Sequence, residues 1–312
     1  MKILISGSIA YDRIMDYAGR FSDHIMPEKI HALNLSFVAI NFKEYFGGTA
    51  GDIAYGLALL GEKSEILAAT GKDFQPYKER LQKMGVGFGF AKNIPNEATT
   101  MASIMTDRAD NQIAALAIGA MAFRSDLTEE NVPDEAMAVI APGNVEDMQR
   151  LPEIYRKKKI PFIFDPGQQI AALGSKDLQN GITGAKILIS NDYELALILK
   201  KTGWTEEEIL SQAGMIITTL GEKGSQVKTK KDIFDIPPAK PKEVVDPTGA
   251  GDAYRAGLIK GIVRNWTIET AAKFGAVMAV YAVETYGTQE YKTNFEEALA
   301  RYENNFKEKL PN

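Results

Sequence analysis

The string Asp246-Pro247-Thr248-Gly249-Ala250-Gly251-Asp252-Ala253-Tyr254-Arg255-Ala256-Gly257 brings hydrogen-bond donors and a base to one place. Gly249 and Gly251 let the backbone approach a ligand with no side chain in the way. The pattern that follows predicts a long helix over Ala250–Arg264. Free N–H groups and the positive end of the helix dipole therefore lie at its mouth. Asp252 sits in that first turn. The combination suits phosphoryl transfer: the amides neutralise charge on a moving γ-phosphoryl, and the carboxylate accepts the proton of an attacking hydroxyl. An acid that merely stabilises a helix start contributes about 0.3–1 kcal/mol and does not require the glycines around it.

The elements that must position this string follow a regular alternation. Short apolar strands are expected at Ile3–Ile5, Ile66–Ala69, Ala138–Ala141, Phe162–Phe164, Ile187–Ile189 and Met215–Thr218. Helical patterns lie between most of them, at Ala50–Leu60, Phe74–Met84, Val145–Lys159, Asp192–Lys200 and Thr205–Leu210. Strands alternating with helices predict a parallel sheet covered on both faces. Gly224–Thr229 and Asp232–Ile236 resemble a hairpin, and helices are expected over Thr267–Glu284 and Asn294–Lys307. Two segments break the alternation. Residues 11–46 contain no helical pattern, and Leu33–Val38 alternates strongly. Thr99–Met105 and Gln112–Ile118 flank a polar turn over Asp107–Asn111 that suits a hairpin. Residues 11–46 and 98–118 are accordingly expected to form a small β lid. The main α/β domain is expected to comprise 1–10, 47–97 and 119–312.

Composition narrows the partners. With 41 acidic and 36 basic residues the chain carries a net charge of -5, which gives no electrostatic reason to bind nucleic acid or an anionic membrane. The absence of cysteine excludes disulfides and thiolate chemistry. His24 and His31 lack the spacing of a metal site. The opening apolar run is too short for a signal-peptide core, and no stretch approaches the ~20 apolar residues of a membrane span. A cytoplasmic protein is expected.

The string at 246–257 resembles the C-terminal signature of the ribokinase (PfkB) family of carbohydrate and nucleoside kinases. Three further motifs match in the family's order: Gly47-Gly48-Thr49-Ala50-Gly51-Asp52 with Leu59-Leu60-Gly61, Asn191-Asp192-Tyr193-Glu194, and Thr219-Leu220-Gly221-Glu222-Lys223-Gly224. Gly19-Arg20-Phe21-Ser22, Asp165-Pro166-Gly167-Gln168-Gln169, Lys201-Thr202-Gly203-Trp204 and Glu284–Glu290 resemble the bacterial adenosine kinase branch. The resemblance implies an α/β fold, a three-layer α/β/α sandwich with a mainly parallel central sheet and a β lid. It implies an ATP- and Mg²⁺-dependent kinase acting on the 5′-hydroxyl of a nucleoside, adenosine first. Asp252 is then the base, and the amides of Gly249, Ala250 and Gly251 form the anion hole. Asn191 and Glu194 organise Mg²⁺ through water, and Thr219, Gly221 and Gly224 border the ATP. Asp12 holds ribose hydroxyls, helped by Ser8, Gly47, Gly48, Gln168 and Gln169, with Ser36 on the lid. A carboxylate accepts two vicinal hydroxyl donors well. Asp246 and Thr248 lie on the loop where family members bind a monovalent cation, potassium being the candidate. A homodimer through the lid is expected, because a lid sheet with one apolar face invites pairing.

Two departures bear on the substrate. Asp52 stands where the family usually has Asn, which adds a negative charge near the sugar pocket or pins the glycine turn. The lid runs Thr99–Ser103 and Ala114–Ile118 lack the aromatics that stack on adenine in that branch, leaving Phe37, Phe42, Phe46 and Phe123 to compensate. A sugar kinase on the same scaffold is the alternative, and a non-catalytic nucleotide sensor a remote one. Neither a G-x-G-x-x-G turn after the first strand nor a P-loop string is present.

Overall fold

The computed structural model describes residues 1–25, 34–109 and 111–310. The chain begins β1 (Lys2–Ser6), β2 (Ala10–Tyr17), β3 (Ala39–Gly47), α1 (Thr49–Leu59), β4 (Ser64–Leu67), β5 (Ala69–Thr70) and α2 (Gln75–Lys83). It continues through β6 (Lys92–Asn93), β7 (Thr100–Thr106), β8 (Gln112–Ala117), β9 (Ala136–Ile140), α3 (Val145–Lys157), β10 (Phe162–Phe164) and α4 (Ser175–Ile182). β11 (Ile187–Asn191), α5 (Asp192–Thr202), α6 (Glu206–Gln212), β12 (Met215–Thr219), β13 (Ser225–Thr229) and β14 (Ile233–Ile236) follow. The helices α7 (Ala250–Val263), α8 (Ile268–Val283) and α9 (Phe295–Phe306) complete the chain.

Eight strands form the central sheet in the order β14-β13-β12-β11-β10-β9-β1-β4. From β4 to β12 every pairing is parallel, and β13 and β14 add an antiparallel edge. Side chains of the parallel strands alternate between two cores. Ile3, Ile5, Val139, Ile163 and Ile189 face α1, α7, α8 and α9. Leu4, Ile140, Phe164 and Leu188 face α3 to α6. Burial on both faces explains why these strands read as continuous apolar runs. The architecture is the expected three-layer sandwich. The strand order reverses between β1 and β9, the kind of switch point where ligands bind outside the carboxyl ends of open α/β sheets.

β3-β2-β7-β8 form a separate small sheet, with β2 and β7 parallel and both outer pairings antiparallel. β2 is an added strand that the sequence reading did not assign. The alternating run at 33–38 is not the strand: residues 34–38 carry no regular structure, and the pairing starts at Ala39. Leu33 lies outside the described residues, as do His31 and Asp110. The alternation reflects packing instead, because the Phe37 ring sits 4.8 Å from Tyr17 and 5.1 Å from Phe21 between centroids. His24 joins that cluster through a 2.5 Å hydrogen bond between Nε2 and the Tyr17 hydroxyl. At the β7–β8 turn the Asp107 carboxylate accepts from the amides of Phe21, Ala109 and Asn111 at 2.8–2.9 Å. No helix of the described residues is long and apolar enough to cross a membrane.

Candidate active site

The carboxyl ends of β9 to β12 and the start of α7 open into one cleft of about 810 Å³. Asn191 at the end of β11 caps α5 in a reciprocal box. Its Oδ1 accepts from the Glu194 amide at 2.7 Å, and Glu194 Oε2 accepts from the Asn191 amide at 2.8 Å. The motif is thus first a helix cap. Its second carboxylate oxygen has no hydrogen-bond partner among the described residues. Thr219, Gly221 and Gly224 border the cleft beyond β12, over a floor that includes Ala239, Ala276, Ala279 and Val280.

Gly249 caps α7 with a left-handed φ of 77°, and a side chain there would press on Thr288 at 3.0 Å. Of the three amides in the candidate anion hole, that of Ala250 donates to Pro247 O at 3.2 Å. Those of Gly249 and Gly251 have no partner among the described residues. Ala250, Gly251 and Asp252 line the cleft, and Gly249 does not. Burial pushes the Asp252 carboxyl up to about 7; Arg255 opposes the shift, and the charges of Asp165 and Glu194 reinforce it.

Asp165 and Arg255 stand inside two of the motifs above but were given no role from sequence, yet both line the cleft with Asp252. Arg255 Nε is in ion-pair contact with Asp165 Oδ2. Asp165 is 1% exposed, and neither of its oxygens nor Arg255 Nε makes a hydrogen bond among the described residues, so the contact is an ion pair alone. The available signal was spacing: Arg255 is three residues after Asp252, on the same face of α7.

The residues expected on the sugar side divide. Gln168 lines the cleft, whereas Gln169 spends its amide on Gly143 O at 2.7 Å. Ser8 Oγ accepts from the Thr49 amide at 3.0 Å and so caps the entry to α1. Ser36 is exposed on the segment before β3. Asp12 points along Gly47, where a side chain would come within 2.5 Å of Oδ2. Burial and then the Asp246 charge raise its pKa. Gly48 carries a φ of 91° at the turn from β3 into α1. Asp246 Oδ1 accepts from the Thr248 amide at 2.9 Å and Oδ2 from the Gly287 amide at 3.4 Å.

Asp52 does not line the cleft. It is buried, and its Oδ1 accepts from Thr288 Oγ1 at 3.0 Å and Gln289 Nε2 at 2.8 Å. Thr288 Oγ1 also reaches Phe46 O at 3.1 Å, and the Tyr77 hydroxyl, itself touched by Gln289, donates to Gly47 O at 2.8 Å. Asp52 thus joins the end of β3 to the loop after α8. Burial, followed by the Asp252 charge, pushes its pKa well above the usual carboxylate range. A raised folded pKa means that stability falls as pH rises above the unfolded value near 4. Asp52→Asn keeps an oxygen for both donors and removes the buried charge. It is expected to raise Tm at pH 8 and leave Tm at pH 4 nearly unchanged, as differential scanning calorimetry at the two pH values would show.

Comparison with known proteins places this geometry. Residues 7–294 match the model of the pfkB family carbohydrate kinases. The chain belongs to that family. It is therefore a kinase that transfers phosphate to a hydroxyl group. It is 30% identical to a nucleoside kinase of Methanocaldococcus jannaschii over 88% of this chain and 91% of that protein. A cytidine kinase of Thermococcus kodakarensis is 26% identical over 77% of this chain and 88% of its own length. Among solved structures, the nucleoside kinase of Burkholderia thailandensis in complex with inosine superposes with a TM-score of 0.86. The two are 35% identical, covering 98% of this chain and 99% of that one. The same protein has been solved in complex with ADP and inosine.

Proposed function

We propose that this pfkB kinase phosphorylates the 5′-hydroxyl of a nucleoside, adenosine first, with ATP as donor. The observation that carries the reading is the cleft that gathers Asp252, the Gly251 backbone, Asn191, Glu194 and Thr219. The likeness to nucleoside kinases over most of the chain favours a nucleoside over a free sugar. Asp252 takes the hydroxyl proton as the oxygen attacks the γ-phosphorus in line, and ADP leaves toward Gly221 and Gly224. The amides of Gly249, Ala250 and Gly251 receive the developing charge; the 3.2 Å bond from Ala250 to Pro247 is long enough to be exchanged for it. Asp12 takes the ribose hydroxyls, with Gly47, Gly48, Ser8, Gln168 and Gln169 shaping the pocket and Asp52 holding it from behind.

Mg²⁺ accompanying ATP fits the residues here. Among the described residues no cluster of three or more His, Cys, Asp or Glu could hold a metal by itself. Magnesium needs only one or two carboxylates besides phosphates and waters. Glu194 supplies one, with Asn191 beside it on the same wall of the cleft. We assign potassium to the loop of Asp246 and Thr248; equal rates in potassium and choline chloride would remove it.

We assign the lid to the small sheet of β2, β3, β7 and β8, closing over the acceptor to exclude water. Phe46 is occupied in the core, 4.6 Å from Tyr77 between ring centroids. Phe42 pairs with Met15 on the face away from Asp12. Tyr45 lies directly opposite Asp12 on the same face, with Tyr286 at 5.8 Å, and we give Tyr45 the stacking role. The outer face carries exposed Phe42 and Ile113, which supports a homodimer through the lid; sedimentation velocity with Phe42→Asp tests it.

A panel of nucleosides, ribose and fructose with ATP and Mg²⁺ decides the acceptor. Nucleosides are expected to turn over best, and equal or better turnover of a sugar would replace the nucleoside assignment. On the same panel Tyr45→Ala is expected to raise the nucleoside KM about tenfold, within the ~1–3 kcal/mol of a stacked base, while the KM for ATP stays put.

A further inference from the structure

The site holds a charged group that the proposed chemistry does not yet use. Arg255 is on the first turns of α7, three residues beyond Asp252, with its side chain 12% exposed. Its Nε is in ion-pair contact with Asp165 Oδ2. Both terminal nitrogens are without a hydrogen-bond partner among the described residues, and the side chain borders the cleft. The guanidinium folds back over the anion-hole glycine: a methyl group added at Gly251 would meet Nη1 at 2.6 Å. Only glycine at 251 leaves room for that placement.

We infer that Arg255 is a catalytic residue that binds the phosphoryl group during its transfer through Nη1 and Nη2, while Asp165 orients it through Nε. This rests on the kinase reading above and deepens it. A guanidinium presents its donors in a planar fork matched to two phosphoryl oxygens, and stays charged at any working pH. Held by one edge, it leaves the other edge for a ligand. The neighbouring groups Asp252, Asp165 and Glu194 are all acidic, and of the two cations lining the cleft, Lys240 and Arg255, it is Arg255 that stands on α7 beside Asp252. In the transfer a bond forms between the acceptor oxygen and the γ-phosphorus, and the bond from phosphorus to the ADP oxygen breaks. The acceptor proton passes to Asp252, and the charge on the three equatorial oxygens is spread over the Gly251 amide and the Arg255 fork.

A plainer role exists for the same contact, in which Arg255 only neutralises a buried carboxylate. The two roles differ in symmetry. If the pair is structural, removing either member has a similar effect. If Arg255 serves the phosphoryl group, its loss is far more damaging than the loss of its orienting partner. Arg255→Gln and Asp165→Asn are therefore measured together for kcat, nucleoside KM and ADP affinity.

Arg255→Gln is expected to lower kcat by at least ~10²-fold, a conservative floor beneath the ~10³–10⁵ that an arginine finger supplies to phosphoryl transfer. That loss should be at least ten times the loss in Asp165→Asn. Nucleoside KM and ADP affinity should each stay within about threefold, since neither ligand carries the transferring group. A ratio of losses below ten, or a loss of ADP affinity that accounts for the effect, overturns the assignment. Where Arg255→Gln alone fails to fold, the double variant with Asp165→Asn leaves no buried carboxylate unpaired and is compared with Asp165→Asn by the same criterion. Wild-type turnover on the acceptor panel separates the two levels. No turnover of any acceptor rejects the underlying reading, whereas normal wild-type turnover with a ratio below ten rejects Arg255 alone.

Discussion

Asp252→Asn lowers kcat by at least ~10²-fold and leaves ATP affinity unchanged, because a positioned base contributes about that much and asparagine keeps the shape of the first turn of α7. The expected result has three parts. Turnover falls in a steady-state assay, the dissociation constant for ATP measured by calorimetry does not move, and Tm at pH 8 rises. The rise follows from the sign of the carboxyl's shift. Its pKa in the folded chain is about 7. The folded state therefore holds a proton that the unfolded chain has released, and stability falls as pH climbs toward 7. Removing the charge removes that loss. The wild-type rate must show the counterpart: kcat/KM rises with pH through a single ionisation near 7, since the base works only when ionised. Near-normal turnover in Asp252→Asn would take the residue out of the reaction, and a flat profile between pH 5.5 and 8.5 would separate its titration from catalysis.

Gly48→Ala is expected to destabilise the chain by about 3 kcal/mol or more, which combines left-handed strain with a backbone clash. At Gly48 φ is 91°, and an added methyl would sit 2.7 Å from both the Ala10 amide nitrogen and Ser8 O. Those are main-chain atoms where β1 gives way to β2, so no side chain can rotate aside. The turn joins the small sheet to α1, and both would shift. Urea denaturation should show a lower midpoint with an unchanged slope. A stability change within 1 kcal/mol would mean that the turn relaxes freely.

The central sheet was legible because its strands are buried on both faces and flanked by helices with clear stops. β10 at Phe162–Phe164 is three apolar residues between Pro161 and Asp165. β2 was not legible, because Ala10–Tyr17 interleaves Asp12, Arg13 and Asp16 with apolar residues. The partners that satisfy those charges lie on another strand: Arg13 pairs with Glu44 at 2.7 Å, and Asp16 accepts from Asn41 at 3.0 Å. A charge reads as loop until its cross-strand neighbour is known. α4 was missed for another reason: at Ser175–Ile182 it is one face of eight residues with few apolar positions. In the site, the glycine-lined mouth of α7 was legible from local sequence, since every part of it is contiguous. The Asp165–Arg255 contact is not local; the two residues are 90 positions apart and meet only through the sheet. Asp52 was visible as an unusual acid. What it holds was not, because Thr288 and Gln289 lie 236 and 237 residues away.

That last separation has a consequence for biosynthesis. As the chain leaves the ribosome, α1 and β1 emerge more than two hundred residues ahead of the amides and hydroxyls that receive the Asp52 carboxyl. A nascent chain lacking the region after α8 must either keep that acid in water, with α1 undocked, or hold it protonated. Release from the ribosome and completion of the pocket are thereby linked. Chains stalled or truncated before Gln289 should remain protease-sensitive at α1 however much of the central sheet they carry.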